Sequence, residues 1–112
     1  MSQKRAAVLV VNPSRAEAVV AATELAGLLQ KADFELFTIS EVSINGVANS
    51  SAENLPTVEI AVVLGGDGTI LRGAELTRER NIPLLGINIG HVGFMAEVIR
   101  PEITAVAKSV ID

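Results

Sequence analysis

Residues Ala6–Val11 are apolar without interruption, rich in valine, and stop at Asn12-Pro13. A strand with one wet face alternates polar and apolar residues. A strand with no polar position has to be covered on both faces, as in a parallel sheet enclosed by helices. Val58–Leu64 and Pro83–Ile89 repeat the pattern, with Glu59 the sole charged residue in the two runs. Phe34–Ile39 reads as a further strand, setting Phe34, Leu36 and Thr38 against Glu35, Phe37 and Ile39.

Between these runs the period changes to that of a helix. Ser14 and Glu17 have the spacing of a capping box, and the segment that follows, to about Lys31, gathers Thr23, Glu24, Gly27, Gln30 and Lys31 on one face. A second helix is predicted over Thr69–Arg80, with Arg72, Glu75 and Glu79 along one side, and a last one over Pro101–Ile111, opened by its proline. Ser40–Thr57, with Asn45-Gly46 and Pro56, reads as loop, Ser51–Leu55 being its one helical candidate. Strands alternating with helices predict an open, mostly parallel, Rossmann-like α/β sheet flanked by helices, built as one domain over residues 1–112.

Composition removes several chemistries. The absence of cysteine rules out disulfides, thiolate nucleophiles and Cys-based zinc sites. With His91 the only histidine, multi-histidine metal sites cannot form within one chain, and nothing positions a catalytic partner for it. A net charge of −4 with 3% aromatic residues argues against a nucleic-acid surface. No apolar run approaches the roughly 20 residues of a membrane span, and the six-residue run at Ala6–Val11 is too short and too abruptly ended for a secretion signal. A cytoplasmic protein with small-molecule partners is expected.

In open α/β sheets ligands collect beyond the carboxyl ends of the strands. The sharpest feature there is Gly65-Gly66-Asp67-Gly68-Thr69. Its glycines open the backbone to close approach and permit positive φ, and the turn feeds a helix whose first amides favour phosphate oxygens. A carboxylate at such an anion site is out of place for phosphate binding alone. Asp67 fits if it accepts a hydrogen bond from a hydroxyl, takes a proton from a nucleophile, or holds a cation that bridges phosphates. The structural alternative is a simple cap on the helix at Thr69. The P-loop pattern fails, because Gly73 is followed by Ala74 and Glu75, and the dinucleotide fingerprint fails, because its third glycine position holds Leu71.

Gly65–Thr69 resembles the GGDGT motif of NAD kinases, which diacylglycerol and sphingosine kinases share in looser form and 6-phosphofructokinases carry as GGDGS. Gly86-Ile87-Asn88-Ile89-Gly90-His91-Val92-Gly93-Phe94-Met95-Ala96-Glu97 is similar to a second segment of NAD kinases, GxNxGxLGFLxE. The resemblance implies phosphoryl transfer from ATP or polyphosphate to the adenosine ribose 2′-hydroxyl of NAD, aided by Mg²⁺ or a similar cation. It implies Asp67 as the catalytic carboxylate and Gly68 as a backbone contact to NAD. Phe94, joined by Leu71, lines the adenine side, and Arg72 contacts a substrate phosphate, unless Arg72 simply pairs with Glu75 or Glu79 on the helix surface. No residue of this chain is expected to ligate a resident metal. The family's Asn-Glu motif lies in a following, mostly β domain, and these 112 residues contain no Asn-Glu pair. The chain is therefore expected to be the N-terminal α/β part of a longer, homo-oligomeric enzyme, and inactive alone. The competing readings are a lipid kinase domain and a non-catalytic nucleotide-binding or self-associating module.

Overall fold

The structure, a computed structural model, describes residues 5–51, 53–88 and 105–111. Its elements in chain order are β1 (Arg5–Val11), α1 (Ala16–Lys31), β2 (Phe34–Thr38), β3 (Val47–Asn49), β4 (Ile60–Gly65), α2 (Asp67–Arg80) and β5 (Leu84–Asn88). Residues 105–111 are helical as well, and form the described part of the helix expected over Pro101–Ile111. The five strands make one parallel sheet in the order β3-β2-β1-β4-β5.

β1 lies at the centre, and its unbroken apolar run is buried residue by residue. Successive side chains of a strand point to opposite faces, so the run feeds two hydrophobic layers. Ala7, Leu9 and Val11, with Val62 and Leu64 of β4, meet Ala18, Ala21, Ala22, Leu25, Ala26 and Leu29 of α1. Val8 and Val10, with Ala61 and Val63, meet Leu76 and the half-buried Ile70 of α2. The two helices thus cover opposite faces, and Ala107 and Val110 extend the layer on the α1 side. Each fully buried aliphatic side chain contributes roughly 1.5–3 kcal/mol.

Asp33 at φ 70° and Asn81 at φ 58° take left-handed conformations where α1 and α2 end. Asp and Asn tolerate that region better than most residues.

The far end of the sheet is tied by Arg5. Its guanidinium makes two hydrogen bonds to the Glu59 carboxylate, at 3.1 and 2.7 Å. It also donates to the carbonyls of Ile111 and Val110, at 2.6 and 3.1 Å, and lies 4.6 Å from the Phe34 ring centroid. A cation at the carbonyl end of a helix opposes its negative dipole end.

Three local features differ from the sequence reading. The loop over Ser40–Thr57 contains β3, whose Val47 pairs with Leu36 and is buried with Ile44 against the α1 layer. Within the helical candidate Ser51–Leu55, Glu53 and Asn54 form a turn, and Asn54 N–H donates to the Ser51 carbonyl at 3.2 Å. The capping box does not form. Asn12 Oδ1 accepts from Ser14 N–H at 3.0 Å and the Asn12 carbonyl from Arg15 N–H at 3.1 Å. That turn carries the chain past Ser14, so the N-cap is Arg15, with no side-chain cap bond.

Candidate functional site

β1 and β4 are neighbours, but the chain leaves β1 for β2 on one side and β4 for β5 on the other. α1 and α2 therefore diverge onto opposite faces, and the carboxyl ends of β1 and β4 flank a crevice, the topological switch point where open α/β sheets bind ligands. A pocket of about 330 Å³ occupies it. One wall is Asn12, Pro13 and Arg15, after β1; the other is Gly66, Asp67, Gly68, Thr69 and Arg72, after β4. Asn12 N–H donates to the Leu64 carbonyl at 3.1 Å and locks the two walls together at their base.

The glycines of the second wall serve space, not unusual dihedrals. Gly65 is buried, and a Cβ there would lie 2.7 Å from Thr69 Oγ1, so its bareness seats the threonine. A Cβ at Gly66 or Gly68 would meet nothing within 4 Å. Among the described residues nothing packs against that side of either glycine, and both line the pocket. The expected use of positive φ is not made: among the described glycines only Gly46, at φ 83°, is left-handed.

α2 begins at Asp67, with Gly66 as N-cap at φ −92°, and Ile70 N–H donates to the Gly66 carbonyl at 3.0 Å to close the first turn. Asp67 is thus the first helical residue and not a cap two residues ahead of Thr69. The first-turn amides of such a helix have no acceptor within it, and the residues that carry them, Asp67, Gly68 and Thr69, line the pocket. The Asp67 side chain is exposed, next to the positive end of the α2 dipole, where a carboxylate is favoured.

Arg72 lines the same pocket and is exposed, and no ion pair joins it to Glu75 or Glu79. The structure therefore brings Asp67, Gly68 and Arg72 to one place. Leu71 is 64% exposed and is not among that pocket's lining residues. Phe94 lies outside the described residues, as does His91; β5, the strand that leads to them, ends at Asn88 in register with Gly65. Among the described residues no group of three or more His, Asp or Glu is placed to hold a metal ion, and no helix is long and apolar enough to cross a membrane.

Two residues escaped the sequence reading. Arg15 lines the pocket from the β1 wall, which only the adjacency of β1 and β4 reveals. Gly73 is buried against β4, where a Cβ would collide with Val63 Cγ2. It supplies the close helix–sheet approach that the third glycine of a dinucleotide fingerprint provides, seven residues after Gly66.

The family model of the ATP-NAD kinase N-terminal domain matches residues 48–112. The chain is similar to an NAD kinase of Bifidobacterium longum subsp. infantis, 40% identical over 94 residues, which are 84% of this chain and 28% of that relative. It is similar to an NAD kinase of Thermobifida fusca, 46% identical over 66 residues, or 59% of this chain and 20% of the relative. Against an NAD kinase of Leifsonia xyli it is 62% identical over 52 residues, 46% of this chain and 17% of the relative. The matched segments thus span less than a third of each of these relatives.

Proposed function

The chain belongs to the ATP-NAD kinase family, by its match to that family's N-terminal domain, and from that premise we propose that the β1–β4 crevice is one wall of a site that phosphorylates NAD on its adenosine ribose 2′-hydroxyl. The observation that carries this reading is a carboxylate, Asp67, as first residue of a helix whose opening residues, with the bare Gly66 and Gly68, line the pocket. A phosphate-binding helix start needs no carboxylate; a hydroxyl nucleophile does.

In the proposed reaction the ribose 2′-oxygen forms a bond to the γ-phosphorus of ATP. The bond from that phosphorus to the β–γ bridging oxygen breaks, and its electron pair leaves with ADP. Asp67 accepts the hydroxyl hydrogen bond, orients the oxygen, and takes the proton as the new bond forms. Gly68 contacts NAD through its backbone. Arg72, charged at any working pH and forked, holds a substrate phosphate. Leu71 and Phe94 complete the adenine side in the assembled site.

Mg²⁺ fits this wall only as a companion of the donor. Asp67 is the sole carboxylate among the described pocket residues, and Mg²⁺ at such sites is commonly held by substrate phosphates with one or two carboxylates. When bound, it shields the charge of the phosphate chain. The rest of the site we assign to the greater length of the relatives. This chain alone is then expected to form no NADP, because positioning needs the rest of the site as well as this crevice.

The test is product analysis on the full-length enzyme supplied with ATP and either NAD or diacylglycerol. NADP formation with no lipid phosphorylation supports the reading. Lipid phosphorylation without NADP would replace it with the lipid kinase alternative.

A further inference from the structure

Asn12 follows β1 and lines the crevice together with the residues that open α2. Three hydrogen bonds hold it. Its N–H donates to the Leu64 carbonyl at 3.1 Å, its carbonyl accepts from Arg15 N–H at 3.1 Å, and its side-chain Oδ1 accepts from Ser14 N–H at 3.0 Å. Pro13 fixes the next φ and narrows the backbone choices of Asn12 itself. The third bond also tells the two arms of the carboxamide apart, because only the oxygen can accept from an amide. Nδ2 is the other arm, and it makes no hydrogen bond among the described residues. Asn12 is half-buried. A side chain of the pocket wall is thus held in place by its oxygen, while its two donor hydrogens are unused by the fold.

We propose that Asn12 is a ligand-binding residue, whose Nδ2 donates to a phosphate oxygen of a nucleotide seated in the crevice. This rests on the phosphotransferase reading of the crevice, and ATP and NAD both supply such an oxygen. Nδ2 can only donate, as can the exposed Arg72 guanidinium that lines the same pocket. An ionised phosphate oxygen can only accept, whereas a ribose hydroxyl does both. Because the carboxamide is fixed before the ligand arrives, little side-chain freedom is lost on binding.

A purely structural Asn12 would tolerate Asp, which offers Ser14 N–H the same acceptor. The proposal predicts otherwise. The probe is inorganic tripolyphosphate, titrated calorimetrically into the full-length enzyme. Asn12→Ser keeps a neutral acceptor for the turn and removes Nδ2. It is expected to weaken tripolyphosphate binding about 10- to 100-fold, the loss typical of a hydrogen bond to a charged group. Asn12→Asp is expected to weaken binding further, with thermal stability near that of the wild type. Steady-state kinetics of Asn12→Ser separate the two sources of phosphate. A raised KM for ATP places the bond on the donor, a raised KM for NAD places it on the dinucleotide, and a rise in neither overturns the proposal. Unchanged tripolyphosphate affinity in Asn12→Ser, or a loss confined to Asn12→Asp, would overturn it as well. If Asn12→Ser fails to fold, Asn12→Asp is compared at about 0.1 and 1 M salt, where the Debye length falls from about 10 to about 3 Å. A loss relative to wild type that persists at high salt supports the missing bond; one that vanishes is charge repulsion alone and overturns the proposal. If the wild-type enzyme forms no NADP, yet tripolyphosphate binding falls in Asn12→Ser, the kinase reading fails and Asn12 stands as a phosphate-binding residue.

Discussion

A methyl group at Gly73 would collide with Val63 Cγ2, whereas one at Gly66 or Gly68 would touch nothing within 4 Å. The four glycines of this strand–helix unit thus separate into two that the fold needs, Gly65 and Gly73, and two that line the pocket with open space about them, Gly66 and Gly68. Gly73→Ala is expected to destabilise the chain by about 1–3 kcal/mol through overpacking, read as a lowered denaturation midpoint. Gly68→Ala is expected to leave stability unchanged or to raise it by about 0.4–1 kcal/mol, while weakening NAD binding in the full-length enzyme. Thermal melts and NAD titrations of the two variants give opposite patterns if the assignment holds. A Gly68→Ala that lost stability and kept its NAD affinity would show that the fold, not the ligand, requires that glycine. Asp67 was legible in the sequence because its neighbours are glycines at a strand end. Arg15 was not, because its chemistry depends on which strand lies beside β1, and pairing partners are not written in local pattern.

At the scale of elements, the long apolar runs were easy to read. β1 and β4 follow the apolar runs at Ala6–Val11 and Val58–Leu64 within two residues, with Glu59 left outside β4, since burial on both faces admits no polar position. β2 was legible for a different reason: its Phe34, Leu36 and Thr38 alternate with the exposed Glu35 and half-buried Phe37. β3 escaped because only Val47 of its three residues is buried, too short a stretch for any period. The start of α1 was misplaced because Ser14 has the composition of a cap, yet Asn12 takes the turn's amide hydrogen bonds instead. Arg5 belongs to this scale as well, joining β1 to Glu59 and to the carbonyl end of the helix at 105–111. The ion pair is about 40% exposed at each side chain, so solvent screening limits its worth to about 1 kcal/mol or less. Arg5→Ala is expected to lower global stability little and to accelerate amide hydrogen exchange over residues 105–111 while the amides of β1 stay protected. Uniform acceleration throughout would mean that the last helix is not a separable unit.

For the whole molecule, one central strand serves both architecture and site. β1 supplies the core on two faces, and its carboxyl end forms half of the crevice. The scaffold is therefore rigid where the pocket is built, as positioning a nucleophile to a fraction of an ångström demands. A substitution in the α1 layer, such as Leu25→Ala at a fully buried side chain, is expected to cost about 2–5 kcal/mol, a large part of the 5–15 kcal/mol typical of a domain; equilibrium urea unfolding measures it. The chain carries a net charge of −4, and nucleotide affinity is expected to weaken as salt screens the exposed Arg72 guanidinium.

The central claim is that Asp67 acts on the hydroxyl in the transition state and is not merely part of a nucleotide-binding surface. Asp67→Asn keeps the size of the side chain and removes its charge and basicity. Measured side by side in the full-length enzyme, kcat for NADP formation is expected to fall about 10²- to 10⁴-fold, while the dissociation constant for NAD changes by no more than a few-fold. Turnover that survives the substitution, or a loss of NAD affinity as large as the loss of turnover, would contradict the account.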